Sequence, residues 1–396
     1  MCEGGVFIVL TVCLVMGLIV SKYNITAPSV LTPLIWIGML TMTHLIPHTL
    51  PPLTSNFYDS ITIWVVTFCF ASMLMQSLKY KPTVGEASKT AVNVYFIISV
   101  LSAPILIIFA ISAILLVDPN LPILMRMRYA AVGAVPEYGF GKPFSTIFMV
   151  FWQISYYFEL YYYDSTRKSR LIIAIAIYML FAFVIMAKAV LLQFFIVSCA
   201  ILLTKGAIKL KHILYGAGVL AVIFIIFQFF RQSGTTSNYN VNKLMTLYII
   251  GHMYAFDTLT PCTAVHWGEN TFRFIYAITY KLHLSGIEPI STLLPFIEED
   301  PLETNTYTTL YPFFIDFGNK GIAIFGAVLG ALYGYIFKKQ SYKSPLMVMI
   351  YAYCVYLIIM QFIAEQTFTN FSLHLKFIIL FCIPFMFPTT KSCQQP

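Results

Sequence analysis

Long apolar stretches alternate with short polar segments along this chain, and the length of the stretches indicates the class of protein. About 17 to 25 apolar residues in a row suffice for one helix to cross a lipid bilayer. The sequence predicts an all-α integral membrane protein with about 11 transmembrane helices, forming a single membrane domain over residues 1–396. The predicted spans are residues 5–21, 29–47, 60–78, 91–117, 144–163, 171–187, 189–204, 212–230, 321–337, 345–364 and 371–388.

Basic residues between the spans predict the orientation of the chain. Cytoplasmic loops carry an excess of Lys and Arg, and assigning the four basic loops to the cytoplasm is consistent with eleven spans. The same topology makes three notable segments extracytoplasmic, namely residues 48–59, 118–143 and 231–320. The four basic loops contain Lys79, Lys81 and Lys89; Arg167, Lys168 and Arg170; Lys205, Lys209 and Lys211; and Lys338, Lys339 and Lys343.

The composition supports a membrane protein and excludes several other classes. The chain is 59% hydrophobic and 10% charged, with a mean hydropathy of +0.81, whereas soluble domains are about 25% charged. The net charge of +8 comes from the loop clusters, so we expect no nucleic-acid partner. The eight cysteines show no metal or disulfide spacing, and no nucleotide-binding or zinc-hydrolase motif is present. We therefore predict no metal and no cofactor.

The long loop over residues 231–320 collects the polar chemistry. A loop of that length without structure is improbable, and two amphipathic segments, residues 244–256 and 271–284, predict helices along or within the membrane surface. Arg273, Tyr276 and Tyr280 fall on one helical face. Eight of the sixteen acidic residues lie here, which favours an active site at a membrane face over a merely solvated loop. They are Asp257, Glu269, Glu288, Glu298, Glu299, Asp300, Glu303 and Asp316.

The segment Asn305–Gly321 carries a recognisable motif, with Asn305, Tyr307 and Thr308 followed by Asp316-Phe317-Gly318 and Gly321. This pattern resembles the signature of the Wzy-type O-antigen polymerases, a family of oligosaccharide repeat-unit polymerases. The proline-containing second span, the break at Lys188 and the segment 248–257 ahead of Arg273 are also similar to that family. The resemblance covers the whole chain in topology and about 80 residues in motif. Many members have more spans and both termini inside.

The resemblance implies a membrane polymerase with a C-type glycosyltransferase-like architecture that needs no metal. Such an enzyme transfers an undecaprenyl-pyrophosphate-linked glycan onto another lipid-linked repeat unit, in O-antigen or capsule biosynthesis. It works at the periplasmic face of the bacterial cytoplasmic (inner) membrane, which makes residues 231–320 a large periplasmic loop. The implied partners are the lipid-linked oligosaccharide, membrane lipid and a chain-length regulator protein.

This chemistry assigns roles to the cationic side chains. The pyrophosphate leaving group gains negative charge as the glycosidic bond breaks, and guanidinium groups bind phosphate oxygens in pairs. Such preorganised charge lowers the barrier. Arg231 and Lys188 could instead be interfacial anchors that extend their charge to the water. The candidate substrate-binding cations are Arg231, Arg273 and Lys188, with Arg126 and Arg128 behind them.

The remaining candidates would act on the sugars. Asp316 or His252 could serve as general base for the attacking hydroxyl, although Asp316 could equally cap or pin the following span. Asn305 belongs to the motif, and Tyr307, Tyr276 and Tyr280 could stack on sugar rings or form an interfacial aromatic belt.

Two other classes compete with the polymerase, namely a flippase for the lipid-linked sugar and an O-antigen ligase. The absence of an internal repeat and the single dominant loop favour the enzyme over the transporter.

Overall fold

The computed structural model describes residues 1–81, 85–131, 143–184, 188–232, 241–291, 294–299, 302–341 and 344–386. Helices make up almost all of this part of the chain. In chain order they are α1 (Glu3–Val20), α2 (Pro28–Leu45), α3 (Ser55–Ser77), α4 (Lys89–Leu115), α5 (Ile123–Ala131), α6 (Pro143–Tyr161), α7 (Lys168–Val184), α8 (Lys188–Thr204), α9 (Leu210–Gln232), α10 (Val241–Met245), α11 (Gly251–Asp257), α12 (Arg273–Lys281), α13 (Tyr311–Gln340), α14 (Pro345–Ile359) and α15 (Phe371–Met386).

The predicted all-α class is confirmed, because every predicted span coincides with a helix. The long apolar helices are consistent with a membrane protein, and the count of eleven spans stays a prediction. One small hairpin interrupts the helices, with β1 (Ile297–Glu299) pairing antiparallel to β2 (Leu302–Thr304) and Glu298 opposite Glu303. Within the described residues, six helices are long and apolar enough to cross a membrane. They are α1, α2, α3, α4, α13 and the segment Pro345–Phe362, which extends α14.

The chain forms two compact units. The first unit comprises residues 1–82, 238–342 and 354–372, and its centre is the contact between α3 and α13. Gly326, Gly330 and Gly334 lie one turn apart along α13, where small residues allow two backbones to approach closely. A Cβ atom on Gly330 would lie 2.2 Å from the carbonyl oxygen of Phe68. The three glycines therefore allow α13 to pack closely against α3.

Helix α13 begins at Tyr311, ten residues before the predicted start of that span at residue 321. The helix breaks at Gly318, whose φ of 61° and ψ of −151° are accessible essentially only to glycine. The polar side chain of Asn319, next to this break, has a distant partner, since Ser60 donates to its side-chain oxygen at 2.9 Å. Hydropathy alone therefore placed the start too late.

The second unit comprises residues 83–237, 343–353 and 373–396, and includes α4 to α9. Polar contacts lie inside this unit: the fully buried Glu159 pairs with Arg170 at 2.5 Å, and the Gln193 amide donates to the Tyr157 hydroxyl at 3.1 Å. Hydrogen bonds between apolar helices stabilise their association. In this unit α7 ends at Val184 and α8 begins at Lys188. The predicted break just before Lys188 falls on residues 185–187, which lie outside the described residues.

Candidate functional site

The carboxylate of Asp316 connects α13 to the segment that precedes α12. Its Oδ2 accepts a hydrogen bond from the Thr271 backbone N–H at 2.7 Å. Its Oδ1 accepts from the Asn270 side-chain amide at 2.8 Å and from the Asn270 backbone N–H at 3.2 Å. Asp316 thus fixes the start of α12, and with it the position of Arg273.

Arg273 is the first residue of α12 and is half-buried. Its Nε donates a hydrogen bond to the carbonyl oxygen of Ile290, which fixes the plane of the guanidinium. Burial lowers the pKa of Arg273, but a guanidinium remains charged in proteins. Among the described residues, no carboxylate lies within 4.0 Å of Arg273. The charge is therefore available to an anionic ligand.

Arg273 lines a cavity of about 260 Å³ within the first unit. This is just below the usual size range of small-molecule sites, so it has room for a small group and not for a long oligosaccharide. Within the described ranges, the Asn305 carboxamide and the Tyr311 hydroxyl, which also line it, have no hydrogen-bond partner. The cavity is lined by Asn270, Arg273, Ile290, Ser291, Leu294, Asn305, Thr306, Tyr307, Tyr311, Pro312, Ala364, Glu365, Gln366, Thr369 and Asn370.

The segment after α14 forms one wall of the cavity around the buried carboxylate of Glu365. The backbone N–H groups of residues 367, 368 and 369 donate to this carboxylate at 2.6 to 3.0 Å. The Thr369 hydroxyl donates at 3.0 Å. Burial raises the pKa of Glu365, and these hydrogen bonds oppose the rise because they stabilise the ionised form. Glu365 therefore holds the backbone of this wall in place.

His252 reaches the cavity only through Thr306. The His252 Nε2 lies 3.0 Å from the carbonyl oxygen of Tyr248; since a carbonyl can only accept, Nε2 carries the hydrogen. The Nδ1 atom is then an acceptor for the Thr306 hydroxyl at 2.5 Å. Burial lowers the pKa of His252 to about 4, so the imidazole is neutral at pH 7.

A π-helical turn over Thr246–Ile250 precedes α11, with the Gly251 N–H donating to the carbonyl oxygen of Thr246, five residues back. Such turns are rare and are frequently found at functional sites. This turn contains Tyr248, whose carbonyl group orients His252.

The predicted tyrosines separate in the structure. Tyr307 lines the cavity, with its hydroxyl donating to the carbonyl oxygen of Pro295 at 2.9 Å. Tyr276 donates to the carbonyl oxygen of Trp267 at 2.7 Å. Tyr280 is exposed at the other end of α12, beside Lys281 and His283 in a shallow surface depression. Tyr307 is the one of the three that is placed to contact a ligand in the cavity.

The other predicted cations belong to the second unit. Lys188 is half-buried at the first position of α8. Arg126 is half-buried on α5, and its Nη2 donates to the carbonyl oxygen of Ile114 at 3.0 Å. The side chains of Arg128 and Arg231 lie outside the described residues. Their roles in binding pyrophosphate stay predictions.

Several cavity residues were missed by the reasoning from sequence. Glu365 had a usable signal, because a lone acid at the end of an apolar run marks a functional site by default. Tyr311 lies within the motif segment Asn305–Gly321 but was not singled out there. Asn270 and Gln366 had no such signal, since each joins the cavity from a different part of the chain. In the part of the chain that the structure covers, no three His, Cys, Asp or Glu side chains group closely enough to hold a metal ion.

What the cavity can do chemically follows from its lining. A fixed guanidinium without a carboxylate partner binds an anionic group, and the amide and hydroxyl groups around it suit a ligand rich in hydroxyls. Comparison with protein-family models, curated proteins and solved structures gives no match for this chain.

Proposed function

We propose that this chain is a membrane polysaccharide polymerase that transfers an undecaprenyl-pyrophosphate-linked glycan onto another lipid-linked repeat unit. The observation that carries the proposal is Arg273, a fixed cation that lacks a carboxylate partner among the described residues and lines a cavity with Asn305 and Tyr311. A pyrophosphate joined to a sugar offers this cavity both an anion and hydroxyl groups. The motif Asn305–Gly321, on which the family resemblance rests, contributes part of the same lining.

In the proposed reaction, the acceptor hydroxyl attacks the anomeric carbon of the donor sugar. The bond from this carbon to the pyrophosphate breaks, and its electron pair leaves with the pyrophosphate. Arg273 stabilises the charge that develops there. Asp316, whose oxygens are held by Asn270 and Thr271, acts by positioning α12.

Thr306 and His252 offer a path for the proton of the acceptor hydroxyl. The proton passes to the Thr306 oxygen while the Thr306 proton passes to Nδ1 of His252, which later returns it to solvent. The low pKa of His252 makes the imidazole a weak base. A weak base suits a reaction in which the acceptor proton becomes acidic only as the glycosidic bond breaks.

The proposal includes the topology that the sequence predicts. Eleven spans, with the four basic loops in the cytoplasm, place residues 231–320 on the periplasmic side of the bacterial inner membrane. The six long apolar helices of the described chain support a multi-pass protein. The cavity, formed largely by residues 270–312 and 364–370, would then open on the outer side.

The break in α13 at Gly318 favours the alternative of a transporter for the same lipid-linked sugar. Discontinuous helices near the membrane midplane form the substrate sites of many transporters. The two functions differ in their products, because a transporter moves the lipid-linked sugar unchanged and a polymerase lengthens the glycan. An O-antigen ligase shares the donor chemistry and differs in its acceptor.

Deleting the gene in its native host and resolving the surface glycan on a gel tests the proposal. A glycan of single repeat length indicates a lost polymerase, whereas the loss of all repeats indicates a flippase or ligase. Complementation with Arg273→Ala should lower polymerisation by roughly 10² to 10³, the usual effect of removing one charge-stabilising donor. Arg273→Lys should rescue only partly, because an ammonium lacks the planar fork. Lys281→Ala, at the exposed end of the same helix, is the matched control.

A further inference from the structure

Helix α12 presents two chemically different faces. Arg273, on one face, lines the cavity. Ile275 and Ile278 lie on the opposite face by helical geometry, and Leu282 follows directly after the end of the helix. These three side chains are 46%, 54% and 60% exposed. Together the two isoleucines and the leucine form a continuous apolar stripe that has no partner among the described residues. Exposing such an apolar stripe to water costs free energy.

The neighbours of α12 indicate what covers the stripe. An apolar bilayer core about 30 Å thick takes about 20 residues of helix at 1.5 Å each. Phe337 lies just before the basic pair at the end of α13. About 20 residues counted back from Phe337 reach Gly318, where the helix breaks. Phe325 then lies about 10 Å inside the core boundary. The ring of Phe272, the residue before α12, packs on Phe325 with ring centroids 5.8 Å apart.

We infer that α12 lies in the outer boundary of the bilayer, with Ile275, Ile278 and Leu282 among the lipid acyl chains. An amphipathic helix on a membrane buries its apolar face by about 5–10 Å, which matches the depth at which Phe272 is held. Phe274 stacks on Phe371 at 4.2 Å and fixes the helix against the same unit. The occupant of the stripe is therefore the lipid surface.

This placement has a consequence for the ligand, which rests on the proposed function. Because Arg273 and the stripe belong to the same short helix, the cavity lies at the level of the lipid phosphate groups. A phosphate carried on a lipid reaches Arg273 by moving sideways in the membrane, while its hydrocarbon chain stays in contact with α12. A water-soluble sugar phosphate lacks this guidance.

Tryptophan fluorescence in lipid nanodiscs tests the placement without any substrate, so its outcome is independent of catalysis. The native Trp36, Trp64 and Trp152 are buried, whereas Trp267 is 74% exposed. A Trp267→Phe background therefore removes the one exposed tryptophan. Ile278→Trp in this background probes the stripe, and Glu288→Trp, at an exposed polar position, is the matched control. The quenchers are phosphatidylcholine brominated on its acyl chains and aqueous iodide.

The inference predicts that Ile278→Trp loses emission in brominated lipid and is shielded from iodide, while Glu288→Trp behaves in the opposite way. Leu282→Trp should repeat the result if Ile278→Trp perturbs the helix. Quenching of both stripe positions by iodide and not by brominated lipid would overturn the inference. Shielding from both quenchers would also overturn it, because a protein surface would then cover the stripe. Normal polymerisation alongside either outcome would leave the proposed function standing.

Discussion

Replacing Gly330 by alanine perturbs the centre of the first unit with a single methyl group. The new Cβ would lie 2.2 Å from the carbonyl oxygen and 2.8 Å from the carbonyl carbon of Phe68, both backbone atoms of α3. Neither atom can move aside as a flexible side chain can. Helices α3 and α13 must therefore separate by about 1 Å before the contact is tolerable, and the packing along their length loosens.

The size of the effect follows from two opposing terms. Overpacking of a close interface costs about 1–3 kcal/mol, and so severe a backbone contact belongs at the upper end. Alanine regains up to about 1 kcal/mol through its better helix propensity. The net loss for Gly330→Ala is then about 2 kcal/mol, or roughly 4–8 °C in melting temperature for a unit of this size.

The assay is thermal unfolding of the purified protein in detergent, with Gly38→Ala as the matched control. Gly38 lies within α2 of the same unit, and a Cβ atom there would meet nothing within 4 Å. The control should gain up to about 1 kcal/mol from helix propensity alone. If Gly330→Ala melts at or above the temperature of Gly38→Ala, the close contact between α3 and α13 does not limit stability.

Three further variants test the site. Burial holds the pKa of folded His252 at about 4, below its ordinary value of 6.5, so the stability from this group is complete above pH 6.5 and is lost as the pH falls toward 4. His252→Gln should remove this dependence, on the order of 3 kcal/mol, and equal pH profiles of the two proteins would contradict it. Gly318→Ala should cost about 1–3 kcal/mol through its backbone conformation, and an unchanged melting temperature would exclude that strain. Asp316→Asn should cost about 1–3 kcal/mol of stability, because it leaves a buried backbone N–H unpaired. It should also lower polymerisation, because Arg273 then loses its position, and Asp316→Glu is the control. Full stability and full polymerisation of Asp316→Asn would refute the positioning role.

The helices could be predicted from sequence because hydropathy is a local property. Each predicted apolar run coincides with a helix. The first part of α13 escaped because the partner of Asn319 is Ser60, more than 250 residues earlier. No local pattern reports that such a distant side chain satisfies a polar group, so Asp316, Asn319 and Lys320 made the segment before residue 321 look like a loop.

The candidate site could be predicted only in part, again because its geometry depends on contacts between residues far apart in the sequence. Arg273, Asn305 and Tyr307 were expected in one site and do line one cavity. Helical spacing correctly placed Tyr276 on the side of α12 that carries Arg273, but spacing does not reveal that the Trp267 carbonyl group binds the Tyr276 hydroxyl. Glu365 joins the cavity through the turn of residues 365–370, whose geometry comes from backbone hydrogen bonds and not from hydropathy.

The most direct test of the proposed polymerase activity is a transfer assay with the purified protein in nanodiscs and the host's undecaprenyl-pyrophosphate-linked repeat unit. A polymerase should give lipid-linked products of two and more repeats, with one undecaprenyl pyrophosphate released for each repeat added. Arg273→Ala should lose this activity by roughly 10² to 10³, and Lys281→Ala should keep it. Movement of the substrate across the membrane without any lengthening of the glycan would contradict the polymerase function. Equal amounts of product from Arg273→Ala and the unchanged protein would contradict the role of Arg273.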